Sequence, residues 1–347
     1  MIRRVALTAA PALDRLFVGG ARVAPRRSPR RPGPDPREAL AEAAEFYGAR
    51  GRREQLFAAP PPIAPVERQV RALPGGAVVD LSWPSTYEPV HPAHRRRLLE
   101  LPDNRTAHAR WYRHTRPAPT ILWAHGWSLG HPAIEERVFP AGAFYRMGYD
   151  VLLPTLPFHS RRRPLRRFRP LWPSMSPILT NEATAQAVHD LRALVALCLA
   201  RGAPAVGMSG MSLGGYSTAM MVTAEPRLAF AIPFIPFASV AELLWDHAES
   251  TPARAAAEAR GLTLDHLEDA MAVSSPLRRP PLLPPERILL VAAERDRVTP
   301  KRYAEALAAH FGDARLIVFD GGHLLQVGRS EAFRTILRFL RILDLKA

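Results

Sequence analysis

The chain has 347 residues, 47% of them hydrophobic, which is enough to bury a complete α/β core together with an appendage. The formal net charge is +15, but lysine occurs only at Lys301 and Lys346, and no helix-turn-helix, zinc-finger or RNA-binding signature accompanies the arginines. We therefore predict no nucleic-acid partner. Attraction for an anionic substrate, or peripheral contact with the lipid headgroups of a membrane, stays open.

Cysteine usage and the N-terminal residues bear on the compartment. The single cysteine, Cys198, lies in an apolar helical run, so an intrachain disulfide is excluded and nothing requires an oxidising compartment. Residues 5–13 form a short apolar stretch that contains Pro11 and is followed by no clear small-residue cleavage site. We therefore expect a cytoplasmic protein. Because no Cys, His or Asp residues stand at metal-ligand spacing, we predict no metal and no cofactor.

The pattern along the chain predicts an N-terminal extension at residues 1–72 and an α/β domain at residues 73–347. Within the extension, residues 18–36 are an Arg/Pro/Gly-rich linker without regular structure, followed by a helix at 36–47. Apolar runs in the domain predict an antiparallel entry pair and then a mostly parallel sheet. The predicted strands are 77–83, 107–114, 120–124, 150–156, 203–208, 228–234, 287–293 and 315–320. The predicted helices are 134–147, 182–199, 213–224, 300–310 and 330–343, the last with Ser330 as its N-cap.

The most informative motif is Gly210-Met211-Ser212-Leu213-Gly214, which has the form G-x-S-x-G. An apolar strand leads into it and a helix-compatible stretch leads out. A serine on such a corner takes a strained backbone conformation beside a helix N-terminus, which favours developing negative charge. The pattern predicts Ser212 as a catalytic nucleophile. The alternative is an ordinary glycine-rich connection between a strand and a helix.

Two backbone N–H groups are predicted to form an oxyanion hole beside Ser212. His125-Gly126-Trp127 follows a buried strand, and a His-Gly step can turn the N–H of Trp127 towards the nucleophile. The N–H of Leu213 is the second predicted donor. His125 itself is predicted to buttress this loop rather than to act as a base.

Two later strands lead into loops that supply an acid and a base. Asp296 follows one strand, and His323 follows the last strand after a Gly-Gly step. An imidazole can take the proton of the serine hydroxyl and return it to the leaving group, while a carboxylate holds the imidazole tautomer. We therefore predict Ser212, Asp296 and His323 as nucleophile, acid and base. The alternative acids are Glu294, Asp320 and Asp246.

The chain order Ser212, Asp296, His323 resembles that of the α/β-hydrolase superfamily, and more closely its serine esterases and lipases. The resemblance extends from about residue 73 to the C-terminus. It implies the α/β-hydrolase fold, with a mostly parallel central sheet flanked by helices. It also implies that the acid follows the penultimate strand and the histidine the last one.

The segment at residues 238–285 contains short helical pieces between two strands of the predicted sheet and ends in a run of prolines. Insertions at this point commonly form a small helical cap that shapes the substrate pocket, so we predict a cap here. The alternative is plain packing of these helices on the sheet.

The loop at residues 157–170 carries a run of arginines that begins with Arg161, Arg162 and Arg163 and extends to Arg169. Members of the resembled family often have a Pro-x-His-Gly turn here, and Ser160 replaces its glycine. One interpretation is a solvated charged loop. The other is a rim that receives a carboxylate, a phosphate or an acidic lipid, because arginine binds oxyanions through two parallel hydrogen bonds.

We therefore predict a serine hydrolase, and most specifically a carboxylic-ester hydrolase that acts on a small-molecule ester or acyl substrate through an acyl-enzyme on Ser212. A peptidase, an acyl-peptide hydrolase or an acyltransferase of the same fold is the alternative within the class. An alternative from another class is a non-catalytic binding protein with this fold. Loss of the serine, the acid or the histidine would mark such a protein, and the sequence has all three.

Overall fold

A single sheet of nine strands organises the computed structural model, which describes residues 2–22, 35–165 and 167–345. The strands are β1 (Val66–Leu73), β2 (Gly76–Pro84), β3 (Thr106–His114), β4 (Thr120–Ala124), β5 (Asp150–Thr155), β6 (Val206–Met211), β7 (Ala231–Phe234), β8 (Leu289–Ala293) and β9 (Arg315–Phe319). Across the sheet their order is β1-β2-β3-β5-β4-β6-β7-β8-β9. The pairs from β1 to β5 are antiparallel, and those from β5 through β4 to β9 are parallel. The predicted mostly parallel sheet with an antiparallel entry pair is confirmed.

The α-helices in the described residues connect these strands or extend from them. They are α1 (Ile2–Arg22), α2 (Pro36–Gly48), α3 (Arg52–Leu56), α4 (Pro92–Leu99), α5 (Pro102–Arg105), α6 (Pro132–Val138), α7 (Ala141–Arg146), α8 (Pro177–Ala200), α9 (Leu213–Val222), α10 (Val240–His247), α11 (Pro252–Glu258), α12 (Leu264–Ala270), α13 (Arg302–His310) and α14 (Arg329–Ile342). Single 3₁₀ turns are found at Ser160–Arg162, Ala272–Ser274, Pro276–Arg278 and Pro285–Arg287.

The sheet has an apolar layer on each face, because successive side chains of a strand point to opposite faces. On one face, Leu122 of β4 and Met208 of β6 pack in a core that includes residues of α8, α9 and α13. On the other face, Ile121 of β4 and Val291 of β8 pack in a core that includes residues of α7 and α14. Strands buried on both faces explain the uninterrupted apolar runs in the sequence.

The winding of the chain changes direction between β4 and β6. From β4 the chain moves outwards to β5, whereas from β6 it moves in the opposite direction to β7 and β8. The loops that leave these two neighbouring parallel strands therefore run apart at the carboxyl edge of the sheet. Ligands of open α/β sheets bind at such points. The predicted nucleophile follows β6 and the predicted oxyanion loop follows β4.

The N-terminal extension differs from the prediction. Residues 18–22 belong to α1 instead of a linker, and residues 23–34 lie outside the described part. The helix predicted at 36–47 is confirmed as α2, whose first turn is capped by the Asp35 side chain. Strand β1 was not predicted, because most of its side chains are exposed at the edge of the sheet and give no alternating apolar pattern.

Two helix predictions are corrected by local backbone chemistry. The helix predicted at 134–147 is divided into α6 and α7 at Pro140, because proline disfavours a helical conformation in the residue before it, here Phe139. Ser330 is not the N-cap of α14. The first turn closes on Gly328 instead, whose carbonyl accepts a hydrogen bond from the N–H of Glu331 at 2.9 Å.

Candidate active site

Ser212 occupies the corner between β6 and α9 in a backbone conformation that side-chain-bearing residues rarely adopt. Its φ is 58° and its ψ is −111°. Its N–H donates to the carbonyl of Phe234 at 3.0 Å, which ties the corner to the next strand. A Cβ at Gly210 would lie 2.6 Å from the Gly214 backbone, so the corner is tight enough to require that glycine. Strained conformations of this kind cost about 1–3 kcal/mol and concentrate at functional sites.

Asp296 and His323 are joined by a hydrogen bond. Nδ1 of His323 lies 2.8 Å from Oδ2 of Asp296, and both side chains are buried. The other carboxylate oxygen accepts the N–H groups of Val298 at 2.8 Å and Thr299 at 2.7 Å. The Thr299 hydroxyl lies 3.0 Å from Oδ2 of Asp296 and 3.1 Å from Nδ1 of His323. A carboxylate that accepts from Nδ1 leaves Nε2 as the basic nitrogen of the imidazole.

The charge of Asp296 decides the protonation behaviour of His323. Burial by itself lowers the pKa of the imidazole, because a charged group is poorly solvated in the protein interior. The Asp296 carboxylate, through its charge and its hydrogen bond, and the carboxylate of Asp14 outweigh burial, so the pKa of His323 is raised above its ordinary value.

Gln326 links the histidine loop, which follows β9 and carries His323, to the serine corner between β6 and α9. Its Nε2 donates to the carbonyl of His323 at 2.9 Å and lies 3.3 Å from the sulfur of Met211, the residue before Ser212. Among the described contacts there is no direct hydrogen bond between the Ser212 hydroxyl and His323. Hydrogen bonds of this kind are often long until substrate binds.

The predicted oxyanion loop follows β4 and lies against the end of β6. A Cβ at Gly126 would lie 3.6 Å from the carbonyl oxygen of Met211, so the loop before Trp127 runs beside the serine corner. Leu213 is the first helical residue of α9, and the N–H of such a residue has no acceptor within its own helix. The assignment of the Trp127 and Leu213 N–H groups as oxyanion donors stays a prediction.

His125 has the structural role predicted for it. The imidazole is fully buried, its Nε2 accepts the N–H of Leu156 at 3.0 Å, and its Nδ1 lies 2.8 Å from the carbonyl of Gly126. Burial lowers the pKa of His125 to about 4, so the ring is neutral near pH 7. Glu135 supports the same loop by accepting the N–H of Gly130 at 2.9 Å.

The arginine loop is not uniformly solvated. Arg162 is 1% exposed and lies 2.8 Å from Oδ2 of Asp190, and it donates to the carbonyls of Asn104 and Thr155. It is therefore an internal structural cation and is unavailable to a bound anion. Arg161, by contrast, is exposed.

Residues outside the predicted set also contact the catalytic candidates. Thr299 borders both members of the Asp296–His323 pair, Gln326 bridges two loops, and Asp14 of α1 accepts the N–H of His323 at 2.8 Å. The position of Thr299 three residues after Asp296 could have suggested its role. Nothing in the sequence signals the position of Asp14.

Within the described residues, no group of three or more His, Cys, Asp or Glu side chains is placed to hold a metal ion. No helix in the same part of the chain has the length and apolar character needed to cross a membrane. The absence of a cofactor stays a prediction.

Two family models match separate parts of the chain. The model described as "Alpha/beta hydrolase domain containing 18" matches residues 131–246, which include the serine corner. The model described as "TAP-like protein" matches residues 271–346, which include Asp296 and His323. Among relatives in sequence, an uncharacterized protein of Mycobacterium tuberculosis (strain CDC 1551 / Oshkosh) is 29% identical over 292 residues, which cover 82% of this chain and 70% of that protein.

Solved structures resemble the fold over most of the chain. An acetyl xylan esterase from Paenibacillus sp. R4 is 14% identical, with a TM-score of 0.55, and the match covers 92% of this chain and 97% of that one. Acetyl xylan esterase 1 from Thermoanaerobacterium sp. JW/SL YS485 is 15% identical, with a TM-score of 0.56, and covers 90% and 94%. With the sheet order and the two family models, these likenesses show that the chain belongs to the α/β-hydrolase superfamily.

Proposed function

We propose that the protein is a serine hydrolase that cleaves carboxylic esters through an acyl-enzyme formed on Ser212. The observation that carries this proposal is the buried pair of Asp296 and His323, joined at 2.8 Å. Gln326 ties the loop of His323 to Met211, the residue before Ser212. A fixed carboxylate, an imidazole with a free Nε2 and a serine on a strained corner are the parts that nucleophilic catalysis by a hydroxyl requires.

Two of the alternative acids, Glu294 and Asp246, are engaged elsewhere. The Glu294 side chain is 48% exposed, and both its oxygens accept from Nζ of Lys301 at 3.0 Å. Asp246 lies on α10, where it accepts the phenol of Tyr303 at 2.6 Å and pairs with Arg302. These contacts favour Asp296 as the partner of the imidazole.

In the first half-reaction, Nε2 of His323 takes the proton of the Ser212 hydroxyl as Oγ attacks the ester carbonyl carbon. The oxygen of the tetrahedral intermediate carries the negative charge, and the N–H groups of Trp127 and Leu213 are proposed to stabilise it. When the carbonyl re-forms, the bond to the alcohol oxygen breaks, and the alcohol leaves with the proton held by His323. Asp296 stabilises the imidazolium between these two transfers.

In the second half-reaction, water replaces the alcohol. His323 removes a proton from the water as its oxygen attacks the acyl-enzyme, and it returns that proton to Oγ of Ser212 as the bond between acyl carbon and serine breaks. The carboxylic acid is released and the resting enzyme is restored. An acyltransferase would differ only in that another alcohol or amine takes the place of water.

The assignment of esters as the substrate class rests on the chemistry of the site rather than on the similar solved structures. Both solved structures described above are named as esterases, but identities of 14% and 15% extend the likeness to the fold alone. Such a triad attacks esters more readily than amides, because an alkoxide is a better leaving group than an amide anion. A peptidase of the same fold would turn over peptide anilides as well.

The test is covalent labelling with a fluorophosphonate, followed by a series of p-nitrophenyl esters and peptide p-nitroanilides. We expect labelling and ester hydrolysis in the wild type, and a loss of at least about 10⁴-fold in kcat in Ser212→Ala. Since the pKa of His323 is raised, we expect kcat/KM to fall as the pH drops through a limb above the ordinary histidine value of about 6.5.

Ser217→Ala is the matched control, because Ser217 is a buried serine of α9 whose hydroxyl donates to the carbonyl of Leu213 in its own helix. Labelling that survives in Ser212→Ala would assign the nucleophile elsewhere. Labelling without any ester turnover would favour the acyltransferase. Failure of the wild type to be labelled would favour the non-catalytic binding protein.

A further inference from the structure

One face of the first helix, α1, lies against the loops of the candidate site. Ala10, Asp14 and Val18 are spaced by four residues, so they share one side of the helix, and all three are buried. From the same region of the helix, the ring of Phe17 meets the ring of Trp127 edge to face, with centroids 6.1 Å apart. The helix thus contacts both the histidine loop and the oxyanion loop.

The carboxylate of Asp14 holds the backbone of two catalytic loops at once. One oxygen accepts the N–H of His323 at 2.8 Å and the N–H of Arg297 at 3.1 Å, and the other accepts the N–H of Leu324 at 3.1 Å. Arg297 directly follows Asp296. A single side chain from the N-terminal helix therefore joins the loop of the acid to the loop of the base.

The histidine loop is shaped to receive this carboxylate. A Cβ at Gly322 would lie 2.6 Å from Oδ2 of Asp14 and 3.2 Å from Cβ of Ala10, so a side chain at this position would displace the helix. Because glycine has no side chain, α1 can approach the backbone of the loop directly at Gly322.

Burial of this carboxylate requires a compensating interaction. Asp14 is 0% exposed, and a buried charge is costly unless hydrogen bonds replace the water it loses. Its described partners are backbone N–H groups, all within the two loops that carry Asp296 and His323. Attachment of a helix to a protein surface needs no buried charge, since apolar contacts would serve. The buried charge of Asp14 is therefore explained by the two loops whose backbone N–H groups it binds.

We propose that Asp14 is a positioning residue for the reaction, which holds the acid and base loops in the register that lets Asp296 orient His323 towards Ser212. This inference rests on the proposed function. It assigns to the N-terminal helix a role in the site that the chemistry of acyl transfer does not itself require.

A charge at position 14 also has an electrostatic consequence at the imidazole. Among the described residues, the charged groups that act on His323 are Asp296, from the loop after β8, and Asp14, from α1. The neutral Thr299 hydroxyl lies beside the imidazole. Both carboxylates raise the pKa of His323 against the effect of burial. Removal of the charge at position 14 moves that pKa downwards, and the acid limb of the rate profile moves to lower pH.

The test compares Asp14→Asn with wild type and with Asp313→Asn in the full-length protein. Asparagine keeps the size of the side chain but removes its charge and turns one acceptor into a donor that faces an N–H. Asp313 is exposed in the turn before β9, so its replacement changes the net charge equally without touching the site. The readouts are kcat and KM for p-nitrophenyl acetate, the pH profile of kcat/KM, the rate of fluorophosphonate labelling and the thermal unfolding midpoint.

We expect Asp14→Asn to lower kcat and the labelling rate about 10- to 100-fold with little change in KM, as loss of a hydrogen bond to a charged group implies, and to move the acid limb to lower pH. Asp313→Asn should match the wild type. The inference would be overturned if the loss of activity in Asp14→Asn only matched a loss of folded protein and the acid limb of the pH profile did not move. It would also be overturned if Asp14→Asn and Asp313→Asn behaved alike. Labelling that persists in Ser212→Ala would instead remove the proposed function.

Discussion

The N-terminal helix α1 and the insertion at residues 238–285 both reach the acid loop, but by different contacts. From α1, the buried Asp14 accepts N–H groups of the acid and base loops. From the insertion, the imidazole of His247 lies 2.8 Å from the carbonyl of Val298. One contact involves a charge that two loops share, and the other is a single hydrogen bond to one loop.

Other buried polar contacts of the insertion are made with helices rather than with the site. The side chain of Asn181 in α8 donates to the carbonyl of Ala270 at 2.9 Å and accepts from the hydroxyl of Ser274 at 2.8 Å. The phenol of Tyr216 in α9 donates to the carbonyl of Ser274. An element of this fold therefore acts on the chemistry through the partners of its buried polar groups. The prediction that the insertion is a cap remains open.

Among changes at the contacts of these two segments, the largest effect is expected at the acid loop, which both of them reach. Asp296→Asn should reduce kcat about 10³- to 10⁴-fold, because an amide can donate to Nδ1 and so stabilise the wrong imidazole tautomer. The measurement is kcat for p-nitrophenyl acetate, together with the fluorophosphonate labelling rate and the unfolding midpoint to show that the protein is folded.

Glu294→Gln is the matched control for this prediction. Glu294 stands two residues earlier on the same loop and was the closest alternative acid in the sequence, but its carboxylate is exposed and pairs with Lys301. We expect less than about a threefold change, as solvent screens exposed ion pairs and their contribution is small. A large loss in Glu294→Gln and a small one in Asp296→Asn would reverse the assignment of the acid.

Much of the fold could be predicted from the sequence, because the signals for its strands and motifs are local. The parallel strands β4 and β8 are buried on both faces, so each is a short apolar run. Ser212, Asp296 and His323 each follow a strand that the sequence predicts. A motif and an apolar run involve neighbouring residues. The order of elements and the positions of the catalytic candidates therefore follow from the sequence.

The features that were missed depend on residues far apart in the chain. Asp14 lies 309 positions from its partner His323, and no local pattern marks it as buried. Within the arginine run, Arg162 is internal because Asp190 of α8 lies beside it, while its neighbour Arg161 is exposed. Composition cannot distinguish two adjacent arginines whose environments are set by tertiary contacts.

A second prediction concerns the oxyanion loop, which α1 contacts and Glu135 supports. Burial raises the pKa of Glu135 to about 7. Since the folded carboxyl holds its proton more tightly than the unfolded one, its contribution to stability is greatest below about pH 4.3 and is lost as the pH rises through 7. Glu135→Gln should remove this dependence, which amounts to about 4 kcal/mol at most.

The measurement is the free energy of unfolding at pH 5 and pH 8, taken from denaturant titrations of wild type, Glu135→Gln and the exposed-site control Glu38→Gln. Wild type and the control should lose stability across this interval by more than Glu135→Gln does. Parallel losses in all three proteins would show that Glu135 does not titrate between these values.

The smallest expected effect comes from a change that compares α1 directly with the insertion at residues 238–285. Phe17→Ala removes the edge-to-face contact of α1 with Trp127, and such contacts contribute about 0.5–1.5 kcal/mol. If the Trp127 N–H is an oxyanion donor, a looser loop should reduce kcat/KM for p-nitrophenyl acetate by about 3- to 10-fold. His247→Ala, which removes the contact of the insertion with Val298, should cost less, because that carbonyl touches neither the acid nor the base. A larger loss in His247→Ala than in Phe17→Ala would make the insertion, and not α1, the segment that supports the site.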